Sequence, residues 1–196
     1  MDPSISYEET LWDALKHGNK DAFGTLYKLH YRQLYGYGNK FLRNTQLVED
    51  AIQDLFVHLW NTRESLSQVH NVKFYLFRAL RRDLVRLAEK SRRFEDIGDE
   101  LAEKNQPERY LFEEEEQEKL LIQKLTRMLR KLPERQLEVV TLRFFDNFKT
   151  EEIAAIMGIS EKSVRNTLYK ALTHLREQTH DLVPFIELIF LLSIVY

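Results

Sequence analysis

Residues 150–177, TEEIAAIMGISEKSVRNTLYKALTHLRE, decide how this chain is to be read. Two helical periods flank one glycine. In the first, Ile153, Ile156 and Met157 share an inward face, and Ala154 is small where two helices must approach closely. Thr150 is the expected cap of that helix, with Glu151 and Glu152 in the first turn, where the macrodipole favours anions. Gly158, four residues after Ala154, supplies a left-handed turn that ends it. Ile159 plugs the corner and Ser160 caps the second helix, whose Val164, Leu168, Leu172 and Leu175 face a core. Lys162, Arg165, Asn166, Tyr169 and Lys170 are left pointing outward. This is the pattern of a helix-turn-helix with a basic second helix. A helix entering a DNA major groove needs donors for phosphates and base edges, and Arg and Asn bond bases bidentately.

Upstream, Tyr75–Arg93, YLFRALRRDLVRLAEKSRR, has a second basic helix. Arg78, Arg82, Arg86 and Lys90 stack at i, i+4, i+8 and i+12, opposite Phe77, Leu80, Leu84 and Leu87. Only Asp83 and Glu89 interrupt the positive charge, so the face repels itself and calls for an external anion. The segment VEDAIQDLFVHLW just before it has a clean apolar stripe of Val48, Ala51, Ile52, Leu55, Phe56 and Leu59. Its other side carries Asp50, Gln53, Asp54 and Asn61, with Trp60 near the end: a solvated face, or one suited to docking on a basic protein surface. Earlier still, Gly18 and Asn19 break a short helix around Thr10–Leu15, and Asp21 is the expected cap of a long helix. In that long helix Phe23, Tyr27, Tyr31, Tyr35 and Phe41 read as core rather than as a ligand box.

The formal charge of −2 is unevenly spread. Residues 1–93 hold 15 Lys/Arg against 11 Asp/Glu, residues 94–118 hold 2 against 11, and residues 119–196 hold 12 against 9. Two mildly basic blocks thus flank an acidic linker, FEDIGDELAEKNQPERYLFEEEEQE, read either as a solubilising spacer or as an acidic strap that mimics nucleic acid. Four prolines, six glycines and no strict apolar alternation give an all-α fold, two small helical domains joined by the acidic linker. The expected divisions are 1–93, 94–118, 119–180 and a hydrophobic tail, 181–196. The absence of cysteine excludes disulfides, thiolate metal sites and cysteine nucleophiles. The N-terminus lacks the basic start and apolar core of a signal peptide, so a cytoplasmic location is expected. The tail LVPFIELIFLLSIVY is 15 residues long and broken by Pro184 and Glu187, short of the roughly 20 needed to span a bilayer. Packing against the helix-turn-helix domain or a partner is the expectation for it, with weak membrane association the alternative.

Taken in order, DAF..LY..HYRQLYGY, VEDAIQDLFVHLW, FYLFRALRRDL and LRKLPERQLEVVTLRFFDNFKTEEIAAIMGISEKSVRNTLYKALTHLRE resemble the bacterial RNA polymerase sigma factors of the extracytoplasmic-function group, over residues 9–177. The resemblance implies a sigma factor that binds core RNA polymerase, directs it to −35 and −10 promoter elements and assists melting. It implies that Asp50, Gln53, Asp54 and Trp60 dock on the clamp helices of the beta-prime subunit. It implies −10 contacts from Asn71, Lys73, Tyr75, Arg78, Arg81, Arg82 and Arg86, and −35 contacts from Lys162, Arg165, Asn166, Tyr169 and Lys170. One position departs from the pattern: Arg82 stands where members commonly carry Asn. An anti-sigma factor is implied as a further partner, and neither a cofactor, a metal, a catalytic residue nor a small-molecule substrate is expected. Two other classes compete. An operator-binding regulator acting without polymerase would need a sensing or dimerising domain where VEDAIQDLFVHLW and the arginine helix stand. A di-iron enzyme would need a second copy of the E-x-x-H match at Glu177–His180, and none exists.

Overall fold

The computed structural model describes residues 3–42, 44–95 and 125–177, and within them every regular element is helical. The acidic linker beyond Glu95, the tail 181–196 and the E-x-x-H histidine lie outside the described residues. The chain divides into two compact units.

Among the described residues the N-terminal unit contains four α-helices. Helix α1 (Pro3–Lys16) stops at Gly18, which takes φ +83°, a conformation that costs little without a Cβ. Helix α2 (Lys20–Leu42) is capped by Asn19, whose Oδ1 accepts from the backbone N–H of Asp21 at 2.9 Å and of Ala22 at 3.0 Å. The cap is therefore Asn19 and not Asp21: an Asx side chain satisfies the N–H groups two and three residues ahead, which only the earlier residue can reach. Helix α3 (Thr45–Asn61) is capped in the same way by Asn44, and its expected apolar stripe is buried in full. A single turn of 3-10 helix (Arg63–Ser65) and an irregular stretch, 66–71, lead into α4 (Val72–Glu95), which runs to the second residue of the acidic segment. Trp12, Leu15, Leu26, Leu34, Ile52, Leu76, Phe77, Leu80 and Leu84 form the fully enclosed centre. Each contributes on the order of 1.5–3 kcal/mol by leaving water.

The aromatic row of α2 is not core. Phe23, Tyr31, Tyr35 and Phe41 are half-buried and Tyr27 is exposed. The buried residues are Ala22, Leu26, His30 and Leu34, one position earlier in each turn, with Tyr37 and Gly38 beyond them. Both rows have a four-residue period, and the compact aliphatic row is the one that fits between helices. The tyrosines lie alongside it, partly open to solvent. They stack into a ladder: Tyr27 and Tyr31 centroids are 5.2 Å apart, and Tyr31 and Tyr35 5.9 Å at 19°. His30 is buried with Nε2 3.5 Å from the Glu8 carboxylate of α1.

Within the described residues of the C-terminal unit the first helix is α5, described over 125–129. Helix α6 (Glu134–Val140) opens after Pro133, and a π-helical turn (Thr141–Phe145) prolongs it, followed by Asn147 at φ +56°. Helices α7 (Thr150–Met157) and α8 (Glu161–Glu177) form the expected helix-turn-helix. Met128, Leu132, Val140, Ala171 and Leu175 form a core that brings α5, α6 and α8 together, with Leu129, Leu137, Phe144 and Leu168 packed on it. No described helix is long and apolar enough to cross a membrane.

Candidate nucleic-acid interface and docking face

The turn between α7 and α8 is built as its residues dictate. Gly158 adopts φ 66°, ψ 39°, and Ile159 N–H donates back to the Ala154 carbonyl at 3.0 Å, the six-residue bond of a left-handed helix stop. Ser160 Oγ accepts from Ser163 N–H at 3.2 Å and so caps α8. At the other end of α7, Thr150 is the first helical residue rather than the cap. There the Lys149 N–H is satisfied by Glu152 Oε2 at 2.8 Å, the back-reaching half of a capping box. Val164, Leu172 and Leu175 are buried on the inner face of α8. Lys162, Arg165, Asn166, Tyr169 and Lys170 are all exposed on the outer one, with Tyr169 62% accessible. The sequence reading missed Glu161, whose Oε2 accepts from Arg165 Nη1 at 3.0 Å; its i,i+4 spacing was the available signal. His174 Nδ1 lies 2.9 Å from Gln136 Oε1 and ties α8 to α6.

On α4, Arg78, Arg82, Arg86 and Lys90 are exposed in one row, about 6 Å apart along the axis at four residues per step. Phe77, Leu80 and Leu84 hold the opposite face at 0% exposure. Asp83 Oδ1 accepts from Arg86 Nη2 at 3.2 Å. The other residues read as −10 contacts are placed differently. Asn71 caps α4, its Oδ1 accepting from Phe74 N–H at 2.9 Å. Lys73 Nζ lies 5.7 Å from the Phe77 ring centroid, and the Arg81 guanidinium 5.9 Å from that of Phe41, so both cations lie over aromatic rings. Tyr75 is half-buried, edge-on to Trp12 with centroids 5.0 Å apart. The structure thus gathers Arg78, Arg82 and Arg86 into one row and sets Asn71, Lys73, Tyr75 and Arg81 apart from it.

The outer face of α3 presents Asp50, Gln53 and Asp54, all exposed. Trp60 is half-buried, 5.2 Å from the Phe23 ring, with the Arg63 guanidinium 4.7 Å from its own centroid. Arg63 Nη1 also donates to the Trp60 carbonyl at 2.9 Å, which locks the guanidinium over the indole. Lys20, Phe23, Val57 and Trp60 line a shallow apolar pocket beside this face. Val57, 49% exposed, was missed; it falls at i+3 from Asp54 and i+4 from Gln53 on an otherwise polar side.

These surfaces have counterparts in known proteins. The family model for sigma-70 region 2 matches residues 26–94, and that for sigma-70 region 4 matches residues 122–175. The RNA polymerase sigma factor SigV of Bacillus subtilis is 26% identical over 152 residues, which cover 76% of this chain and 86% of SigV. Among solved structures, CnrH in complex with the cytosolic domain of CnrY superposes with a TM-score of 0.61 at 22% identity, over 87% of this chain and 96% of CnrH. The sigma factor RpoE in complex with the anti-sigma factor NepR, from Bartonella quintana, gives 0.61 at 22% identity, over 79% and 94%. With region 2 on the unit that carries the arginine row, and region 4 on the unit that carries the helix-turn-helix, the chain belongs to the sigma-70 family as a sigma factor of the extracytoplasmic-function group, which directs RNA polymerase to promoters.

Proposed function

We propose the following division of labour among the residues of this sigma factor. Asp50, Gln53 and Asp54, with Val57 and the Trp60 pocket beside them, dock on the beta-prime clamp helices of core polymerase. Arg78, Arg82 and Arg86 hold phosphates of the −10 region through counterion release, while Tyr75, beside Asn71 and Lys73, lies where an unpaired base could stack. Arg165, Asn166 and Tyr169 read the −35 element in the major groove, and Lys162 and Lys170 hold its phosphates. Arg81, laid against Phe41, supports α4 as much as it faces DNA. The exposed arginine row on α4, where Asp83 pairs with Arg86 and, among the described residues, no comparable acidic set faces the rest, is the observation that carries the reading.

The action is binding without chemistry. Core polymerase fixes the spacing of two domains, 1–93 and 119–180, so that two modest contacts act at high effective concentration. The acidic linker 94–118 spans them and competes with nucleic acid for a basic channel. Capture of extruded bases offsets their unstacking, a few kcal/mol per base. The work is done in the cytoplasm, and the polymerase-docking faces are also where an anti-sigma factor would bind; the similar protein RpoE is found in complex with the anti-sigma factor NepR. Run-off transcription with core polymerase tests the reading on DNA from upstream of the coding region. A discrete start that depends on this protein, and is lost in Asp50→Lys/Asp54→Lys, is expected. Specific duplex binding that needs no polymerase would refute it.

A further inference from the structure

Helix α1 lies outside the region 2 match, which begins at residue 26, yet one of its faces is committed to a single stretch of chain. Glu9, Trp12 and Lys16 fall at i, i+3 and i+7. Buried Trp12 donates its Nε1–H to the Ser67 carbonyl at 3.0 Å. Lys16 Nζ donates to Gln68 Oε1 at 3.4 Å, and Glu9 Oε1 lies 3.0 Å from His70 Nδ1. All three reach the irregular stretch 66–71 between the 3-10 turn and α4. The same indole ring receives the edge of Tyr75 at the start of α4. The ends of the stretch are fixed independently: Arg63 donates to the Trp60 carbonyl on one side, and Asn71 caps α4 on the other. Ser67, Gln68, His70 and Asn71 remain exposed.

We propose that α1 is a brace for residues 67–70, and that Trp12, Glu9 and Lys16 are positioning residues for promoter opening. The inference rests on the assignment of Asn71, Tyr75 and the arginines of α4, which directly follow this stretch, to the −10 element. A backbone without regular secondary structure loses conformational freedom when it receives an extruded base, and that loss subtracts from capture. Contacts from three turns of a rigid helix impose the order beforehand, so the receiving surface is in place when the base leaves the stack. The Trp12 bond goes to a main-chain carbonyl and therefore fixes the path of the chain, whatever side chain follows.

The test uses the full-length protein assembled with core polymerase. Trp12→Phe keeps an aromatic ring and removes the donor; Glu9→Gln/Lys16→Ala loosens the brace at its half-buried ends and leaves the fully buried core alone. Open-complex formation is measured by permanganate reactivity of unpaired thymines on a duplex promoter and on the same promoter with a pre-opened −10 bubble. Loss of one neutral hydrogen bond should lower opening of the duplex about five-fold. The defect should largely disappear on the bubble, while core affinity, measured separately, stays at the wild-type level. An equal loss on both templates would overturn the proposal, since that is what a damaged fold produces. So would unchanged opening in both variants. If instead Arg78→Ala/Arg82→Ala opens the duplex normally, the assignment of α4 to the −10 element fails first, and the brace falls with it.

Discussion

Helix α2 contains three glycines whose replacement by alanine should have opposite signs. An added Cβ at Gly24 or Gly36 meets nothing within 4 Å, whereas at Gly38 it would stand 2.5 Å from Val48 Cγ1, 3.3 Å from Cγ2 and 3.5 Å from Cβ. Val48 is fully buried on α3 and β-branched, so rotating it exchanges one methyl clash for another. Alanine in a helix interior gains about 0.5–1 kcal/mol over glycine through backbone entropy, and this gain applies at all three sites. Overpacking a filled core costs about 1–3 kcal/mol, and this applies only at Gly38. Gly24→Ala and Gly36→Ala should therefore stabilise the N-terminal unit. Gly38→Ala should be less stable than Gly36→Ala by about 1–3 kcal/mol, with the propensity contribution cancelling between them.

The chain's two tryptophans, Trp12 and Trp60, both lie in the N-terminal unit, so their fluorescence during urea unfolding reports this unit alone. In heating experiments each kcal/mol should appear as about 4–8 °C for a unit of this size. Val48→Ala should cost less in the Gly38→Ala background than in the wild type, because it removes the atoms that clash, with a coupling of about 0.5–3 kcal/mol. Equal stability of Gly38→Ala and Gly36→Ala, or no coupling to Val48, would refute the close approach of α2 and α3 argued here.

Asn19→Ala should destabilise the N-terminal unit by about 1 kcal/mol and Asp21→Ala hardly at all, since Asn19 makes the capping bonds; urea unfolding compares the two. On α8, Arg165→Ala should cost about 1–3 kcal/mol of promoter binding and relax base preference at one −35 position. Lys162→Ala should weaken all sequences alike and reduce the salt slope by about one, as measured by holoenzyme titrations at several salt concentrations. Arg82→Gln removes two like-charge i,i+4 neighbours, Arg78 and Arg86, at similar helix propensity. It should stabilise the free protein by about 0.4–1 kcal/mol in thermal unfolding while weakening promoter binding.

What could be read from the sequence was what is local. The α7–α8 turn is written within ten residues, by Gly158 at the stop and Ser160 at the start, and the structure follows both. The stripe of α3 and the arginine row of α4 follow from one helical period each. The core side of α2 was not legible, because two rows of equal period run one residue apart and His30 makes the buried one look polar. Which row is inside is settled by the helices packed against it. Gly38 likewise has meaning only opposite Val48. The brace was out of reach for the same reason: Trp12 and Ser67 are 55 residues apart, and Glu9 and His70 are 61 apart. The caps show the finer limit, since Asn19 and Asp21 are both good capping residues two positions apart, and only backbone geometry chooses between them.

The two basic helices treat their charge differently, and the difference bears on what each can recognise. On α8 the guanidinium of Arg165 is paired with Glu161 one turn earlier, so the first turns of the helix attract phosphate weakly while Arg165 keeps an oriented fork. On α4, among the described residues, Asp83 offsets Arg86, and the row from Arg78 to Lys90 keeps a cost of about 0.2–0.5 kcal/mol for each like-charge neighbour. Phe77, Leu80 and Leu84, each worth about 1.5–3 kcal/mol on burial, outweigh that repulsion several times over, so the helix survives it. A feature that lowers stability locally and is tolerated because the core can carry it is where function is to be sought. Under the proposed roles, the less compensated row of α4 would attract any phosphate backbone, whereas the paired Arg165 would give preference among bases at a smaller electrostatic gain.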